Sequence, residues 1–186
     1  AKTNGGIEKY LFQLKNPMSV NNQMPPVWCG NPLTDTNTTK AMFRFITSFL
    51  DTMHQVLDYF VLGSETDIYF KSRPAERDSF FVMAGKVSDY IDFNYPSIKF
   101  AVGVSMSCPM NSDTLFWNRV LATGDIMSVS WWPLDSYSYA DTSEVNAADS
   151  LFQVLITKSG SKPIVISDCG ITTALMPERN DIQSRF

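Results

Sequence analysis

Short apolar segments alternate along the chain with longer stretches whose apolar residues recur at intervals of three and four. The clearest of these helical stretches begins after Asp35 or Thr36, and either residue can cap it. Continuous apolar runs such as residues 59–63 are instead typical of parallel strands covered on both faces. The pattern therefore predicts five strands separated by four helices. The predicted strands are residues 10–14, 59–63, 98–104, 125–131 and 164–166, and the predicted helices are residues 36–57, 74–91, 111–121 and 145–158.

Strict alternation of strands and helices predicts an α/β fold with a parallel sheet and right-handed crossovers. Such a sheet is either doubly wound or curved into a barrel, and five strands are too few to close a barrel alone. A dinucleotide-binding sheet normally has a glycine-rich phosphate turn after a strand, whereas Gly63-Ser64-Glu65 offers one glycine. The sequence thus predicts no cofactor of that kind.

Composition narrows the class of protein. With 186 residues, of which 44% are hydrophobic, the chain can form one domain over residues 1–186 with a sizeable core. The net charge is −4 and basic residues form no run, so nucleic acid is not an expected partner. No stretch approaches the roughly 20 apolar residues of a membrane helix, so no membrane span is expected.

Two of the predicted strands end in an acid. Glu65 follows the strand at residues 59–63, and Asp168 follows the strand at residues 164–166. The carboxyl ends of barrel strands meet on one face, so these acids are expected to lie close together, as the carboxyl pair of a glycosidase does. Taken singly, each acid also fits a structural role, Glu65 bonded to loop amides and Asp168 in a turn before Gly170.

The segments around these acids resemble the glycoside hydrolases of the large retaining (β/α)8 clan that includes endo-galactanases. The resemblance runs from about residue 10 to the end and corresponds to strands three to seven of such a barrel. It implies that Glu65 is the acid/base, that Asp168 is the nucleophile and that Ser64 contacts the sugar. Paired aromatics before a proline, here Trp131 and Trp132, imply stacking on sugar rings.

The sequence departs from this clan at two positions. The clan has Glu at the position of Asp168, and the shorter Asp side chain retracts its oxygens by more than about 1 Å, an error that can cost roughly a hundredfold in rate. The clan also has Asn at the position of Ser64, and its amide contact to the sugar is missing here. Neighbouring strand residues face opposite sides, so at most one of Trp131 and Trp132 is expected to line the barrel mouth.

These departures predict a carbohydrate-associated protein whose catalytic pair has degenerated and which binds sugar or a neighbouring chain. Two alternatives stay open: an active retaining endo-glycosidase that hydrolyses a β-linked polysaccharide, and a structural subunit of an extracellular assembly. The barrel segment is expected to be incomplete at both ends, so that self-assembly or another chain would complete it.

The remaining features concern location and minor sites. Asn37-Thr38-Thr39 matches the N-glycosylation pattern in a polar stretch ahead of the apolar residues of the first predicted helix, which favours an extracellular or cell-surface protein. Three widely spaced cysteines allow at most one internal bridge, and Cys108 and Cys169 follow strands that end on one face. The single histidine, His54, has no apparent partners for a metal site, so no metal is expected.

Overall fold

The computed structural model describes residues 9–18, 31–111, 113–133 and 142–170. Within these ranges the chain forms one five-stranded parallel sheet and seven α-helices. The strands are β1 (Leu11–Met18), β2 (Tyr59–Ser64), β3 (Lys99–Ser105), β4 (Met127–Trp131) and β5 (Ile164–Cys169). The helices are α1 (Thr36–Met53), α2 (Thr66–Ser72), α3 (Arg77–Asn94), α4 (Cys108–Asn111), α5 (Thr114–Thr123), α6 (Thr142–Asn146) and α7 (Ala148–Ser159), and a 3₁₀ turn covers Pro74–Glu76.

The strands follow each other in chain order across the sheet, and every neighbouring pair is parallel. In a flat sheet, four spacings of about 4.8 Å would hold β1 and β5 about 19 Å apart. Yet Lys15 on β1 forms an ion pair with Asp168 on β5, so the sheet is strongly curled. The chain is therefore a segment of a (β/α)8 barrel, which confirms the predicted α/β fold.

The two faces of the sheet have different surroundings. Phe60, Phe100 and Val129 face the helices and belong to the large apolar core that also includes residues of α1, α3 and α5. Val61 and Ala101 alternate with them, face the inside of the curl and form a smaller apolar cluster with Ile126. Burial on both faces explains why the central strands read as unbroken apolar runs.

Helix α1 shows how local sequence signals and packing agree. The Asp35 carboxylate accepts the amide of Asn37 at 2.9 Å, and Met42, Ile46 and Leu50 are completely buried on one side. The helix ends at Met53, four residues before the predicted end. Asp58 and Tyr59 donate their amides to the Tyr10 carbonyl, so the chain must already have turned into β2.

Other boundaries also differ from the predictions. Residues 66–73 were expected to form a loop, but α2 lies there; seven residues are too few to show helical periodicity, and tertiary contacts hold them. Helix α5 begins after Asp113, whose carboxylate accepts the Phe116 amide, rather than at residue 111. The predicted helix at 145–158 is divided into α6 and α7.

Two expectations about the surface can be placed on the fold. Asn37 lies exposed in the first turn of α1, and its glycosylation stays a prediction. Cys108 is buried, Cys169 is exposed, and the structure shows no bridge between these two residues. Among the described residues, no helix is long and apolar enough to cross a membrane.

Candidate functional site

The carboxyl ends of the strands place both predicted acids on the same edge of the sheet. Glu65 directly follows β2, and Asp168 is the fifth residue of β5. Ser105, Ser130 and Asp168 are register partners across β3, β4 and β5. Continuing the β2–β3 register puts Glu65 at the same level. The acids are separated by three strand spacings, about 14 Å along the sheet, and the curl shortens the direct path between them.

Glu65 has an unusual backbone. Its φ of 50° and ψ of 43° are left-handed, and it is the one non-glycine residue with positive φ in the described part of the chain. Its carbonyl accepts the amides of Ile68 and Tyr69, which starts α2 directly at the strand end. Such strain costs on the order of 1 kcal/mol and collects at functional sites. The acid/base role of Glu65 stays a prediction.

Asp168 is held by a cation that was not among the predicted site residues. The ammonium of Lys15, on β1, forms an ion pair with the Asp168 carboxylate across the inside of the curl. Lys15 follows Gln13 at strand spacing, and both alternate with Phe12 and Leu14 on the helix-facing core. That alternation is the signal that marks Lys15 as an inward residue. The nucleophile role of Asp168 stays a prediction.

A buried polar network fixes the strand ends behind Glu65. Asp67 accepts the Ser105 amide at 2.8 Å and the Ser105 hydroxyl at 2.7 Å, and the Ser105 and Ser107 hydroxyls are 3.1 Å apart. Thr66 donates its hydroxyl to the Gly103 carbonyl at 2.9 Å. These bonds tie the β2–α2 turn to β3 and so position Glu65 at the edge. Asp67 was missed because its segment was predicted as a loop.

The other residues predicted to contact sugar differ in how far their side chains are exposed. Ser64 is only 3% exposed, and its contact with a sugar stays a prediction. Trp131 is 7% exposed and packs edge-on against Phe152 with ring centroids 5.6 Å apart. Trp132 is 41% exposed, and its ring lies against Gly170, where an added Cβ would sit 2.7 Å from the indole. Trp132 is thus the tryptophan available to a ligand.

This difference predicts opposite outcomes for the two tryptophans. Trp131→Ala is expected to lower the free energy of unfolding by about 3 kcal/mol, because it leaves a cavity against Phe152. Trp132→Ala should change it by less than about 1 kcal/mol, since the ring is half-exposed. Urea unfolding followed by circular dichroism measures both. Equal effects of the two substitutions would contradict this assignment.

A polar cleft of about 240 Å³ lies near the same edge, between α2, the 3₁₀ turn and the start of α5. Asp67 reaches it from the network, and Lys71 and Arg77 contribute positive charge. Arg77 donates to Asp113 at 2.8 Å. The Phe116 amide, together with this ion pair, holds the pKa of Asp113 below its ordinary value. The cleft adds hydrogen-bonding groups next to the candidate site.

Metal-ligating residues do not gather in the described parts of the chain. There, no group of three His, Cys, Asp or Glu side chains could hold a metal ion. His54 follows α1 and stacks on Tyr95 with ring centroids 4.6 Å apart. Its Nδ1 lies 3.0 Å from the Asp51 carbonyl. His54 therefore has a packing role at the amino-terminal end of the strands.

The curled parallel sheet and its helices are similar in fold to the catalytic barrels of glycoside hydrolases. The GH53 catalytic domain of Ignisphaera aggregans superposes with a TM-score of 0.61 at 13% identity, over 95% of this chain and 52% of that one. An endo-laminarinase from Formosa Hel1_33_131 superposes with a TM-score of 0.51 at 12% identity, over 73% of this chain and 43% of that one.

A GH2 beta-galacturonidase from Eisenbergiella tayi, bound to galacturonate, also superposes, with a TM-score of 0.51 at 12% identity. That match covers 74% of this chain and 22% of the other. This chain thus spans about half or less of the length of these proteins. No family model matches the sequence, and no curated protein matches it significantly. The chain therefore has a glycoside-hydrolase-like fold, established by structure.

Proposed function

We propose that this chain is a carbohydrate-binding module, secreted or on the cell surface, built on a glycoside-hydrolase-like half-barrel with a degenerate catalytic pair. The observation that carries the proposal is the ion pair between Lys15 and Asp168, at the position where the resemblance expects the nucleophile. A carboxylate that is one methylene short and bonded to an ammonium is a poor nucleophile. It remains a good hydrogen-bonding partner for sugar hydroxyls.

The exposed edge supplies the other elements of a sugar-binding surface. The half-exposed face of Trp132 can stack on a pyranose ring, and the neighbouring Lys15 and Asp168 can bond its hydroxyls. Among the described residues, β1 and β5 each pair with one neighbouring strand, which leaves their outer edges for completion by further segments or by another chain. We include that completion, and the extent of the domain over residues 1–186, in the proposal.

Binding of neutral β-glycan oligosaccharides tests this function. Wild-type protein is expected to bind one member of a cello-, laminari- and galacto-oligosaccharide panel in isothermal titration calorimetry, and Trp132→Ala should weaken that binding roughly tenfold. Phe93→Ala is the matched control, because Phe93 is 86% exposed at the carboxyl end of α3, away from the strand ends. Equal losses in both variants, or absence of binding, would refute the proposal.

An active retaining endo-glycosidase is the second candidate, and the strained backbone of Glu65 at the same edge as Asp168 favours it. Such an enzyme would release reducing ends from β-linked polysaccharides and cleave activated aryl β-glycosides. Glu65→Gln would abolish polysaccharide turnover but leave the unfolding transition in place. Turnover that is lost in Glu65→Gln would refute a degenerate site and support an active enzyme. Sugar binding without turnover would support the carbohydrate-binding module.

A further inference from the structure

A second cleft lies on the helical side of the half-barrel, between α1 and α3, with a volume of about 230 Å³. Its lining spans two turns of each helix. The residues are Thr36, Thr39, Lys40, Phe43, Arg44, Ser79, Val82, Met83 and Lys86. The strand-end residues Glu65, Trp132 and Asp168 are not among them, so this cleft is separate from the candidate site.

The lining carries three positive charges and no carboxylate. Lys40 and Arg44 are four residues apart on α1 and therefore project from the same side of the helix, and Lys86 lies on α3. None of the three forms an ion pair or side-chain hydrogen bond within the part of the chain that the structure describes. A chain with net charge −4 thus concentrates unpaired cations at one place.

The two carboxylates that directly precede lining residues of the cleft are bonded to other groups. Asp35, which precedes the cleft residue Thr36, accepts the Asn37 amide and the Thr38 hydroxyl. Asp78, which precedes Ser79, forms an ion pair with Arg119. Neither acid forms an ion pair with Lys40, Arg44 or Lys86, so a carboxylate or sulfate that enters the cleft can pair directly with these cations.

The uncharged lining groups indicate which other features an anionic ligand of this cleft would have. The hydroxyls of Thr36 and Ser79 have no hydrogen-bond partner among the described residues and can bond a hydroxylated ligand. Phe43 and the 59% exposed Val82 offer apolar contact for the C–H face of a ring. The volume is below the range of about 300–1,000 Å³ that is usual for drug-sized ligands, so one or two sugar units would fill it.

We propose that the α1–α3 cleft binds an acidic sugar unit, through Lys40, Arg44 and Lys86 to its carboxylate or sulfate group and through the hydroxyls and Phe43 to its ring. This inference rests on the proposed carbohydrate-binding function and assigns it a second, charge-selective subsite. A long polymer with acidic units, unlike a short oligosaccharide, would then be held at two places, the strand-end edge and the helical face. Two contacts on one polymer raise the overall affinity without new interactions at either place.

The test compares two trisaccharides that differ only in the carboxylates at C6, trimannuronate and mannotriose, by isothermal titration calorimetry on the full chain. Wild-type protein should bind trimannuronate roughly tenfold more tightly than mannotriose, with affinity that falls as salt rises. Lys40→Gln combined with Arg44→Gln should abolish the difference. Lys99→Gln is the matched control, because Lys99 is exposed at the start of β3, outside the cleft.

The outcomes separate this proposal from the proposed function. If Trp132→Ala weakens neutral glycan binding and leaves trimannuronate binding unchanged, both proposals are supported. If trimannuronate binds the double variant as tightly as wild type, or binds neither protein, the acidic subsite is refuted whatever the neutral panel shows. Equal affinity for a hexaglutamate peptide would also refute it, since the cleft would then select charge on a peptide rather than a sugar.

Discussion

Gly103→Ala is expected to lower the free energy of unfolding by more than about 4 kcal/mol, enough to unfold much of the protein. Gly103 lies in the middle of β3, and an added Cβ would be 2.4 Å from the Gly63 carbonyl oxygen and 3.2 Å from the Gln13 side-chain nitrogen. The Gly63 carbonyl belongs to the backbone of the central strand β2, and it cannot move aside without breaking the sheet. Thermal unfolding followed by circular dichroism measures the loss.

Gly85→Ala provides the matched control for the same chemical change. Gly85 lies within α3, and no heavy atom is within 4 Å of the position of an added Cβ. Alanine there should raise the free energy of unfolding by about 0.5–1 kcal/mol, because glycine is a poor helix former. A stable Gly103→Ala protein, with a midpoint like that of Gly85→Ala, would show that the inside of the curl is not packed as the structure has it.

The inside of the half-barrel is filled in part by Gln13, which lies beside Gly63 of β2 and Gly103 of β3. Gln13 from β1 donates its side-chain amide to the Gly63 carbonyl at 3.0 Å, and the same nitrogen would be 3.2 Å from a Cβ added at Gly103. The glycine at position 103 of β3 thus leaves room for a long polar side chain from β1. The same edge strand supplies Lys15 one step further toward the strand ends, where the candidate site begins.

The main outline of the fold could be predicted from the sequence because each strand is short, apolar and bounded by clear turns. Runs such as residues 59–63 and 98–104 became β2 and β3 almost as predicted, since burial on both faces leaves little ambiguity. The prediction of a loop at residues 66–73 was wrong, because this segment has no local pattern that indicates its structure. Helix α2 is seven residues long and depends on contacts with β3 that no local pattern reveals.

The shared edge of the strand-end acids could be predicted from the sequence, whereas the residues that hold them in place could not. Glu65 and Asp168 stand out because parallel strands place their ends on one edge, a rule that needs no contact information. Lys15 and Asp67 interact with residues 153 and 38 positions away, so their partners could not be read from local spacing. The alternation around Gln13 and Lys15 did mark an inward face, but the curl that brings β1 near β5 is a property of the whole sheet.

Glu76→Ala is expected to lower the free energy of unfolding by about 3 to 5 kcal/mol. The buried Glu76 carboxylate accepts the Leu33 amide at 2.8 Å and the Tyr69 hydroxyl at 3.0 Å, and it lies 3.7 Å from the half-exposed Arg73 guanidinium. Its removal leaves two buried donors unpaired, and each costs about 1–3 kcal/mol. The ion pair with Arg73 contributes little because Arg73 is solvated. Urea unfolding at pH 7 measures the loss.

Tyr69→Phe separates the hydrogen bond from the carboxylate, because Glu76 keeps the Leu33 amide; the expected loss is about 1 to 2 kcal/mol. Burial, then the bond to Glu76 and its charge, raise the pKa of Tyr69. A raised pKa in the folded state means that stability is lost as pH rises above about 10, the value in unfolded chains. Between about pH 10 and 11, Tyr69→Phe should therefore lose less stability than wild type. The bond between Tyr90 and Asp51 also raises the pKa of Tyr90, but Tyr90 is present in both proteins and contributes equally to both. Parallel losses in the two proteins would contradict the Tyr69–Glu76 bond.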